Sequence, residues 1–329
     1  IATSQSLGKP AIPCVNVGDT VAQGQLIARA DGAISSNVFA SISGKVTAVT
    51  SLENECGQQG QFIVIEGDGS GNKQFLPPLS DPSTEEIVQR VKDAGIVGLG
   101  GAGFPTAVKM QPRTPVDTFI INGSECEPYL TCDHRVMIEK TDEVARGARY
   151  LAKALGVSNI IIGIETNKPD CIAAFEKFDD IKVVALRKMY PMGGEKQLIY
   201  SATGRKVGLG KLPADVGVVV NNVATCLAVC EAIELCKPLI EAILTVSGQS
   251  VQRTANVKVP VGTPLSYIVE KCGGEKDAPK KVVLGGPMTG VAIKSYDLYV
   301  KKTTSGILLL SEKEAAAEEP TPCLNCGLC

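Results

Sequence analysis

The chain has 329 residues, a net charge of −2 and 44% hydrophobic residues. This length predicts about two to three domains with packed cores. The near-neutral charge and the scattered basic residues argue against nucleic-acid binding. The longest apolar runs, such as 160–164 and 216–220, have the length of buried strands and are far shorter than the ~20 residues of a membrane-spanning helix. We therefore expect any contact with a membrane to be made through a partner.

The cysteine content indicates a reducing compartment. The 12 cysteines lack the regular spacing of a disulfide framework, and no secretory signal opens the chain. We therefore expect reduced thiols and a cytoplasmic location. The cysteines outside the C-terminal motif described below are interpreted as small buried apolar residues, and the single histidine, His134, as a helix cap or hydrogen-bond partner.

Residues 1–72 are predicted to form an all-β domain, because short apolar segments alternate with Gly, Asp and Ser turn signals. Two segments, 15–27 and 41–49, resemble the barrel-sandwich hybrid of biotinyl and lipoyl carrier domains. A carrier needs an acceptor lysine at its hairpin tip, and the corresponding stretch 38–43 contains none. The domain is therefore predicted to be a structural or docking module.

Residues 73–237 are predicted to form a Rossmann-like α/β domain after the Pro-rich linker 75–82. Ser83 and Glu86 have the spacing of a capping box and predict the start of a helix that ends near Ala94. The predicted strands are 118–121, 159–164, 182–186 and 216–220, and the predicted helices lie near 135–155, 169–178, 194–203 and 222–234.

A glycine-rich loop at 98–103 suggests a nucleotide site. Gly98, Gly100 and Gly103 have the G-x-G-x-x-G spacing, and a loop with few Cβ atoms lets backbone N–H groups approach a phosphate. The dinucleotide fingerprint with this spacing needs a strand directly before the loop. A helix is predicted there instead, which argues against the ordinary Rossmann fingerprint.

Three further polar segments follow predicted strands, at the sheet edge where α/β folds bind ligands. Residues 121–128 contain an asparagine and two glutamates, 190–196 contain paired glycines that open a helix, and 221–225 begin with paired asparagines. Free N–H groups at the two helix starts suit an anion. Each segment alone is also compatible with a solvated turn or a helix cap. Their recurrence in one domain favours a ligand site.

Residues 238–312 are predicted to form a small β-grasp-like domain, because strands at 244–248, 255–259 and 281–286 accompany one short helix. Residues 313–329 are predicted to be a linker, acidic in its middle part, that leads into the start of a ferredoxin-type iron–sulfur module. This division completes the predicted domain organisation of the chain.

The C-terminal cysteines Cys323, Cys326 and Cys329 form a C-x2-C-x2-C motif. This is the opening of the bacterial ferredoxin run that binds [4Fe–4S] clusters. A zinc site more often pairs two C-x2-C units across a longer loop. The motif is therefore predicted to supply three cluster thiolates, with the fourth cysteine expected beyond residue 329.

With these segments in order, the whole chain resembles the RnfC proteins of Rnf-type ferredoxin:NAD oxidoreductase complexes. Its α/β part is also similar to the NADH- and FMN-binding subunit of respiratory complex I, although that protein has two consecutive glutamates where this chain has Gly194 and Glu195. The resemblance implies that FMN is bound by Gly101, Gly103, Lys109, Asn122, Glu125, Asn221, Asn222 and Thr225. It implies that the nicotinamide nucleotide faces Phe104, Glu127, Tyr190 and Glu195, with Gly193 and Gly194 in the same cofactor site.

The resemblance implies hydride exchange between NAD(H) and FMN, followed by one-electron transfer through [4Fe–4S] clusters, with no catalytic side chain required. Ferredoxin-like and membrane partner subunits would couple this flow to ion translocation, and ferredoxin would be an indirect partner. The chain would lie peripherally at the cytoplasmic face of the bacterial cell membrane. The resemblance also implies a soluble-ligand-binding β-grasp (SLBB) domain within 238–312 and further sequence at both ends.

Two alternatives stay open at this point. A related soluble electron-transfer protein could serve another reductase, such as proline reductase or a cobalamin-reducing enzyme, and the identity of the partner would separate the two. A scaffold without catalysis could use the two β domains for docking, and a bound flavin would argue against it.

Overall fold

The computed structural model describes residues 1–316 and 322–323. An all-β part comes first, an α/β part follows, and a β part with one helix comes last. The predicted multidomain α/β fold class is confirmed. The predicted domain boundaries stay predictions, because the elements fix the order of the domains and not their limits. In the part of the chain described, none of the helices is long and apolar enough to cross a membrane.

Six strands build the N-terminal domain: β1 (Ile12–Pro13), β2 (Thr20–Val21), β3 (Leu26–Arg29), β4 (Val38–Phe39), β5 (Gly44–Glu53) and β6 (Gln59–Gly67). They form two antiparallel sheets with the orders β1-β3-β4 and β2-β5-β6. Ile27, Val38, Val46 and Ile63 meet in the core. The all-β prediction for this part is confirmed.

The central domain begins with two helices and then alternates strands with helices. Its elements are α1 (Thr84–Asp93), α2 (Thr106–Lys109), β7 (Thr118–Gly123), α3 (Cys132–Glu139), α4 (Thr141–Leu155), β8 (Asn159–Glu165), α5 (Pro169–Phe175), β9 (Ile181–Leu186), α6 (Glu195–Thr203), β10 (Val218–Asn222) and α7 (Val223–Glu234). The strands are parallel in the order β10-β7-β8-β9. Phe119 and Ile121 of β7 face the core that contains α1, α4 and α7, whereas Ile120 faces α6. The sheet is therefore buried on both faces, as its apolar strands predict.

The start of α1 follows the predicted capping box. The backbone N–H of Glu86 donates to Ser83 Oγ at 3.2 Å, and the backbone N–H of Ser83 donates to Glu86 Oε2 at 2.8 Å. The helix ends at its C-cap Ala94, and Gly95 follows with φ +64°. A helix and not a strand therefore leads into the glycine-rich loop, as predicted.

Two local predictions in this domain are wrong. The helix predicted over 135–155 is divided at Lys140, whose φ of −132° and ψ of 29° are not helical, so that α3 and α4 are separate helices. The strand predicted from Val216 starts at Val218, because the residues before it form a 3₁₀ turn that ends at Gly217 with φ +76°.

The third domain contains β11 (Glu241–Ser247), β12 (Ala255–Pro260), α8 (Leu265–Lys271), β13 (Lys281–Leu284), β14 (Val291–Ile293) and β15 (Gly306–Leu310). Its strands form one sheet in the order β12-β11-β15-β13-β14. β15 lies in the centre and is buried at every residue. The helix α8 packs on this sheet through Leu265, Ile268 and Val269.

A buried lysine joins the three domains. Lys302 lies in the third domain, and its Nζ donates to the carbonyl oxygens of Asn37 and Gly95, both at 2.7 Å. Asn37 belongs to the N-terminal domain, and Gly95 follows α1. Burial lowers the pKa of Lys302 to about 7. This shared polar contact fixes the chain just before the glycine-rich loop.

Candidate functional site

The sheet topology creates a crevice between β7 and β10. The chain runs from β7 to β8 on one side, whereas β10 lies on the other side of β7. The loops that follow β7 and β10 therefore diverge, and ligands of open α/β sheets bind at such a switch point. Asn122 and Asn222 are paired in register at the carboxyl ends of the two strands. Two of the predicted cofactor ligands thus stand side by side at this crevice.

The glycine-rich loop is held over the crevice by contacts to the start of α7. The backbone N–H of Leu99 donates to Thr225 Oγ1 at 3.0 Å. Gly100 has φ +74°, and a Cβ at this position would lie 2.9 Å from Asn222 Nδ2. The Asn222 side chain also caps α7, because its Oδ1 accepts the backbone N–H of Ala224 at 2.7 Å. Glycine is therefore needed at position 100 because of its left-handed backbone conformation and because the backbone lies close to the Asn222 side chain.

The other predicted glycines of the loop differ from Gly100. Gly103 has φ +72° and faces the other two domains, since a Cβ there would lie 3.0 Å from Thr303 Cγ2 and 3.4 Å from Ser6 Cα. A Cβ at Gly101 would meet none of the described atoms within 4 Å. Gly101 is thus the loop glycine with open space beside it.

Lys109 and Glu195 are brought together at the end of β10. Lys109 Nζ donates to the carbonyl oxygen of Val220 at 2.6 Å and forms an ion pair with Glu195 Oε1 at 2.7 Å. Both side chains are partly exposed. A residue predicted to bind FMN and one predicted to face the nicotinamide nucleotide therefore share one polar contact.

The loops after β7 and before α6 are joined by polar contacts. Asn122 Nδ2 donates to the carbonyl oxygen of Gly193 at 2.9 Å. The backbone N–H of Gly193 donates to Cys126 Sγ at 3.3 Å, and a Cβ at Gly193 would lie 3.0 Å from that sulfur. At Gly194 a Cβ would lie 2.9 Å from the carbonyl oxygen of Pro191. The paired glycines therefore permit this close approach.

Glu125 and Asp133 form a half-buried carboxylate pair in the crevice. Glu125 has φ +46°, and its oxygens accept the backbone N–H groups of Asp133 at 2.7 Å and His134 at 3.2 Å at the start of α3. Asp133 Oδ2 accepts a hydrogen bond from Asn222 Nδ2 at 2.6 Å. Burial, followed by the charge of Asp133, raises the pKa of Glu125 to about 8. Burial raises the pKa of Asp133 to about 6, although the Asn222 hydrogen bond and Lys168 oppose this shift.

Asp133 and a buried ion pair behind it were not predicted from the sequence. Lys168 Nζ lies 3.1 Å from Glu165 Oε2 and donates to the carbonyl oxygen of Ser124 at 3.0 Å. Glu165 ends β8 directly after the apolar run 160–164, so the rule that led to Asn122 would also have found it. Asp133 carried no such signal, because it follows a loop and not a strand.

Glu127 contacts the third domain in this structure. Its carboxylate accepts the backbone N–H of Met288 at 2.9 Å and the hydroxyl of Thr289. A Cβ at Gly286 would lie 2.4 Å from the same carboxylate. The third domain therefore forms one wall of the cleft. Five of the predicted cofactor residues line this cleft: Asn122, Glu125, Glu127, Gly193 and Asn222.

Two other predicted residues, Phe104 and Tyr190, are not among the residues that line this cleft. Tyr190 is exposed, and Phe104 is half-buried with its carbonyl oxygen accepting the backbone N–H of Gly98 at 2.8 Å. Cys323 is exposed, whereas Cys326 and Cys329 lie outside the described residues. The roles of the three cysteines as cluster ligands and of Phe104 and Tyr190 as nicotinamide contacts stay predictions.

Two buried polar atoms without a partner among the described residues lie at the carboxyl ends of β7 and β10. Asn221 Nδ2 and Ser124 Oγ have no hydrogen-bond partner among the described residues, although Asn221 is only 3% exposed and Ser124 is 0% exposed. Such atoms are costly unless a ligand or water pairs with them. Together with the cradle at Gly100, they fit a polar ligand bound across the carboxyl ends of β7 and β10.

Comparison with known proteins decides the family. Residues 1–70 match the model of the RnfC barrel sandwich hybrid domain, residues 91–231 that of the Nuo51 FMN-binding domain, and residues 243–292 that of the SLBB domain. The RnfC-type protein of the proton-translocating ferredoxin:NAD(+) oxidoreductase complex of Clostridium ljungdahlii is 42% identical over 100% of this chain and 74% of its own length. The chain belongs to the RnfC family of ion-translocating ferredoxin:NAD(+) oxidoreductase complexes. The resemblance inferred from the sequence is confirmed.

Other relatives agree with this assignment. The corresponding protein of the Na(+)-translocating ferredoxin:NAD(+) oxidoreductase complex of Acetobacterium woodii is 41% identical over 100% of this chain and 76% of its own length. The corresponding protein of the ion-translocating oxidoreductase complex of Rhodobacter capsulatus is 43% identical over 99% of this chain, which spans 65% of that relative.

A solved structure shares the fold over much of the chain. The NAD+-reducing [NiFe]-hydrogenase in the air-oxidized state superposes with a TM-score of 0.59 at 23% identity. The match covers 70% of this chain and 47% of the hydrogenase chain. This similarity supports the fold assignment.

Proposed function

We propose that this chain binds FMN in the crevice between β7 and β10 and NAD(H) beside it, as the electron-transfer component of an ion-translocating ferredoxin:NAD+ oxidoreductase. The observation that carries this proposal is the unpartnered Nδ2 of Asn221, which is buried at the crevice within the part of the chain that matches the Nuo51 FMN-binding domain. Bound FMN would supply two-electron exchange with NAD(H) and one-electron transfer to iron–sulfur clusters.

The residues proposed for FMN have distinct tasks. Asn221 has a free donor, and Lys109 brings a positive charge to the end of β10. Asn122 near the end of β7 and Glu125 in the following loop present polar atoms to the cleft. Asn222 and Thr225 fix the glycine-rich loop against α7. The N-terminus of α7 and the backbone N–H groups of that loop, with Gly101 and Gly103, suit the phosphate.

The NAD(H) site is proposed for the outer side of the same cleft, where Glu127 and Gly193 contribute to the lining. The residues proposed for it are Phe104, Glu127, Tyr190, Gly193, Gly194 and Glu195. Glu195 already pairs with Lys109, so the same ion pair would link the two nucleotide sites. Glu127 is held by the third domain, which would set how far its carboxylate reaches into the cleft. These side chains bind and orient the nucleotide, and we assign no acid or base role to them.

The C-terminal motif completes the proposed electron path. Cys323, Cys326 and Cys329 would ligate a [4Fe–4S] cluster. Ferredoxin-like and membrane subunits of the complex are the proposed partners, and ferredoxin would exchange electrons indirectly. We propose a peripheral location at the cytoplasmic face of the membrane, held by these partners.

The test is titration of the full chain with FMN, followed by flavin fluorescence. Asn221→Ala removes a donor that has no partner among the described residues, so folding stability should change little, while FMN affinity should fall about tenfold or more. Asn72→Ala, at an exposed asparagine in the N-terminal domain, is the matched control. An anaerobic NADH titration of the FMN-loaded chain should then bleach the flavin absorbance.

Two results would contradict the proposal. The full chain could bind no FMN, which would favour a scaffold. Alternatively, Asn221→Ala could bind FMN as tightly as the parent chain, which would move the site away from the end of β10.

A further inference from the structure

Three different metal-ligand types meet at the starts of α3 and α5. His134 lies in the first turn of α3, and Asp170 and Cys171 lie in the first turn of α5. These helices follow the neighbouring strands β7 and β8, so their first turns adjoin at the same end of the sheet. His134 Nε2 lies 2.7 Å from Asp170 Oδ2. A ligand atom of each of the three residues lies within 4.8 Å of the other two.

The chemistry of this set selects among metals. One imidazole nitrogen, one carboxylate and one thiol suit Zn²⁺ or a similar borderline ion, whereas Mg²⁺ and Ca²⁺ prefer oxygen ligands throughout. Zinc bonds of about 2.0–2.3 Å place tetrahedral ligands roughly 3–4 Å from one another. The His134 and Asp170 ligand atoms, 2.7 Å apart, would therefore separate slightly around the ion, and any longer separation, up to 4.8 Å, would shorten slightly. A thiolate and a carboxylate would together neutralise the charge of a divalent cation.

We propose that His134, Asp170 and Cys171 form a binding site for Zn²⁺ or a divalent ion of the same ligand preference. The fourth ligand would be water. The side chains of His134 and Asp170 are 28% and 53% exposed, and Cys171 is buried beneath them, so the ion enters from solvent. None of these three residues is among those that line the cleft, and the site does not depend on the proposed flavin function.

Binding releases the proton of the Cys171 thiol as the S–metal bond forms. Burial, followed by the charge of Asp170, raises the pKa of this thiol to about 12, and Glu125 acts in the same direction while Lys168 opposes it. The carboxyl of Asp170 has a lowered pKa because His134 hydrogen-bonds to it. Metal binding should therefore be favoured as the pH rises, because the thiol must lose its proton to bind the ion.

The site also adjoins the carboxylate pair. The backbone N–H of His134 donates to Glu125 at 3.2 Å. A metal that holds His134 would fix the first turn of α3, and with it one hydrogen bond that positions Glu125.

The test is titration with Co²⁺, whose thiolate complex has a charge-transfer absorption band. It uses the full chain with the three cysteines of the C-terminal motif replaced by serine, so that those thiolates do not contribute. We expect one equivalent of Co²⁺ with this band, and competition by Zn²⁺. Cys171→Ser should abolish the band, whereas Cys14→Ser, at an exposed cysteine of the N-terminal domain, should leave it unchanged.

His134→Ala and Asp170→Asn decide the matter if the buried Cys171→Ser fails to fold. Each should weaken Co²⁺ binding at least tenfold while the chain keeps the melting temperature of its metal-free parent within a few degrees. The proposal is overturned if the chain binds no stoichiometric Co²⁺ or if the band survives Cys171→Ser. It is also overturned if His134→Ala and Asp170→Asn both bind Co²⁺ as tightly as the parent chain.

Discussion

Replacing Gly100 by alanine tests how the glycine-rich loop is built. The φ of +74° costs an alanine about 1–2 kcal/mol relative to glycine. The new Cβ would lie 2.9 Å from Asn222 Nδ2, a side chain held by Asp133 and by the start of α7. Displacing it weakens a hydrogen bond to a charged group, which is worth about 1.5–3 kcal/mol. We therefore expect a loss of about 2–4 kcal/mol in the free energy of unfolding.

Gly101→Ala is the matched control for this experiment. Its Cβ would meet none of the described atoms within 4 Å, and its φ lies outside the left-handed region. Its stability should change by less than about 1 kcal/mol. In calorimetry, the transition of the central domain should fall by about 4–16 °C for Gly100→Ala, at about 2–4 °C for each kcal/mol. Equal melting of the two variants would refute the packing of Gly100 against Asn222.

Three further changes test the supports of the crevice. Thr225→Val leaves the backbone N–H of Leu99 without its acceptor and should cost about 1–3 kcal/mol in urea unfolding, whereas Thr225→Ser should cost less; equal costs would contradict this role. Lys168→Met leaves the buried Glu165 unpaired and should lower the free energy of unfolding by about 3–5 kcal/mol. The double variant with Glu165→Leu should recover part of this loss. No recovery would contradict an interaction between the two residues. The carboxyls of Glu125 and Asp133 have higher pKa values in the folded state than in the unfolded chain, so the folded state binds more protons. The stability that these two groups contribute at low pH is therefore lost as the pH rises from about 4 to about 8. Glu125→Gln should flatten that dependence in unfolding curves taken across this range, and an unchanged slope relative to the parent would argue against a raised pKa.

Local sequence signals were sufficient for most elements of the fold. The Ser83 and Glu86 capping box acts over three residues, so it locates the start of α1 without knowledge of the rest of the chain. The four strands of the central sheet are apolar runs of strand length, bounded by polar residues. The division at Lys140 carried no comparable signal, because no glycine or proline stands there.

The candidate site was predictable only where a ligand segment directly follows a strand. Asn122 and Asn222 satisfy that rule, and the parallel pairing of β7 with β10 brings them together. The contact of Glu127 with Met288 joins residues 161 positions apart, and the Asn222–Asp133 bond joins residues 89 positions apart. Such contacts depend on how the domains and loops pack against one another. Local residue types and spacing do not predict this packing.

Long-range contacts bring all three domains to the crevice and its glycine-rich loop. Lys302 of the third domain fixes Asn37 and Gly95, and Gly95 leads into the glycine-rich loop. The N-terminal domain holds the far end of that loop, where the backbone N–H of Leu7 donates to the carbonyl oxygen of Gly103 at 3.0 Å. The third domain also binds Glu127 and closes the outer side of the cleft. The two β domains therefore contact the cradle at both ends, while the central domain closes the base of the loop through the Gly98–Phe104 hydrogen bond and the Val97–Pro105 bridge.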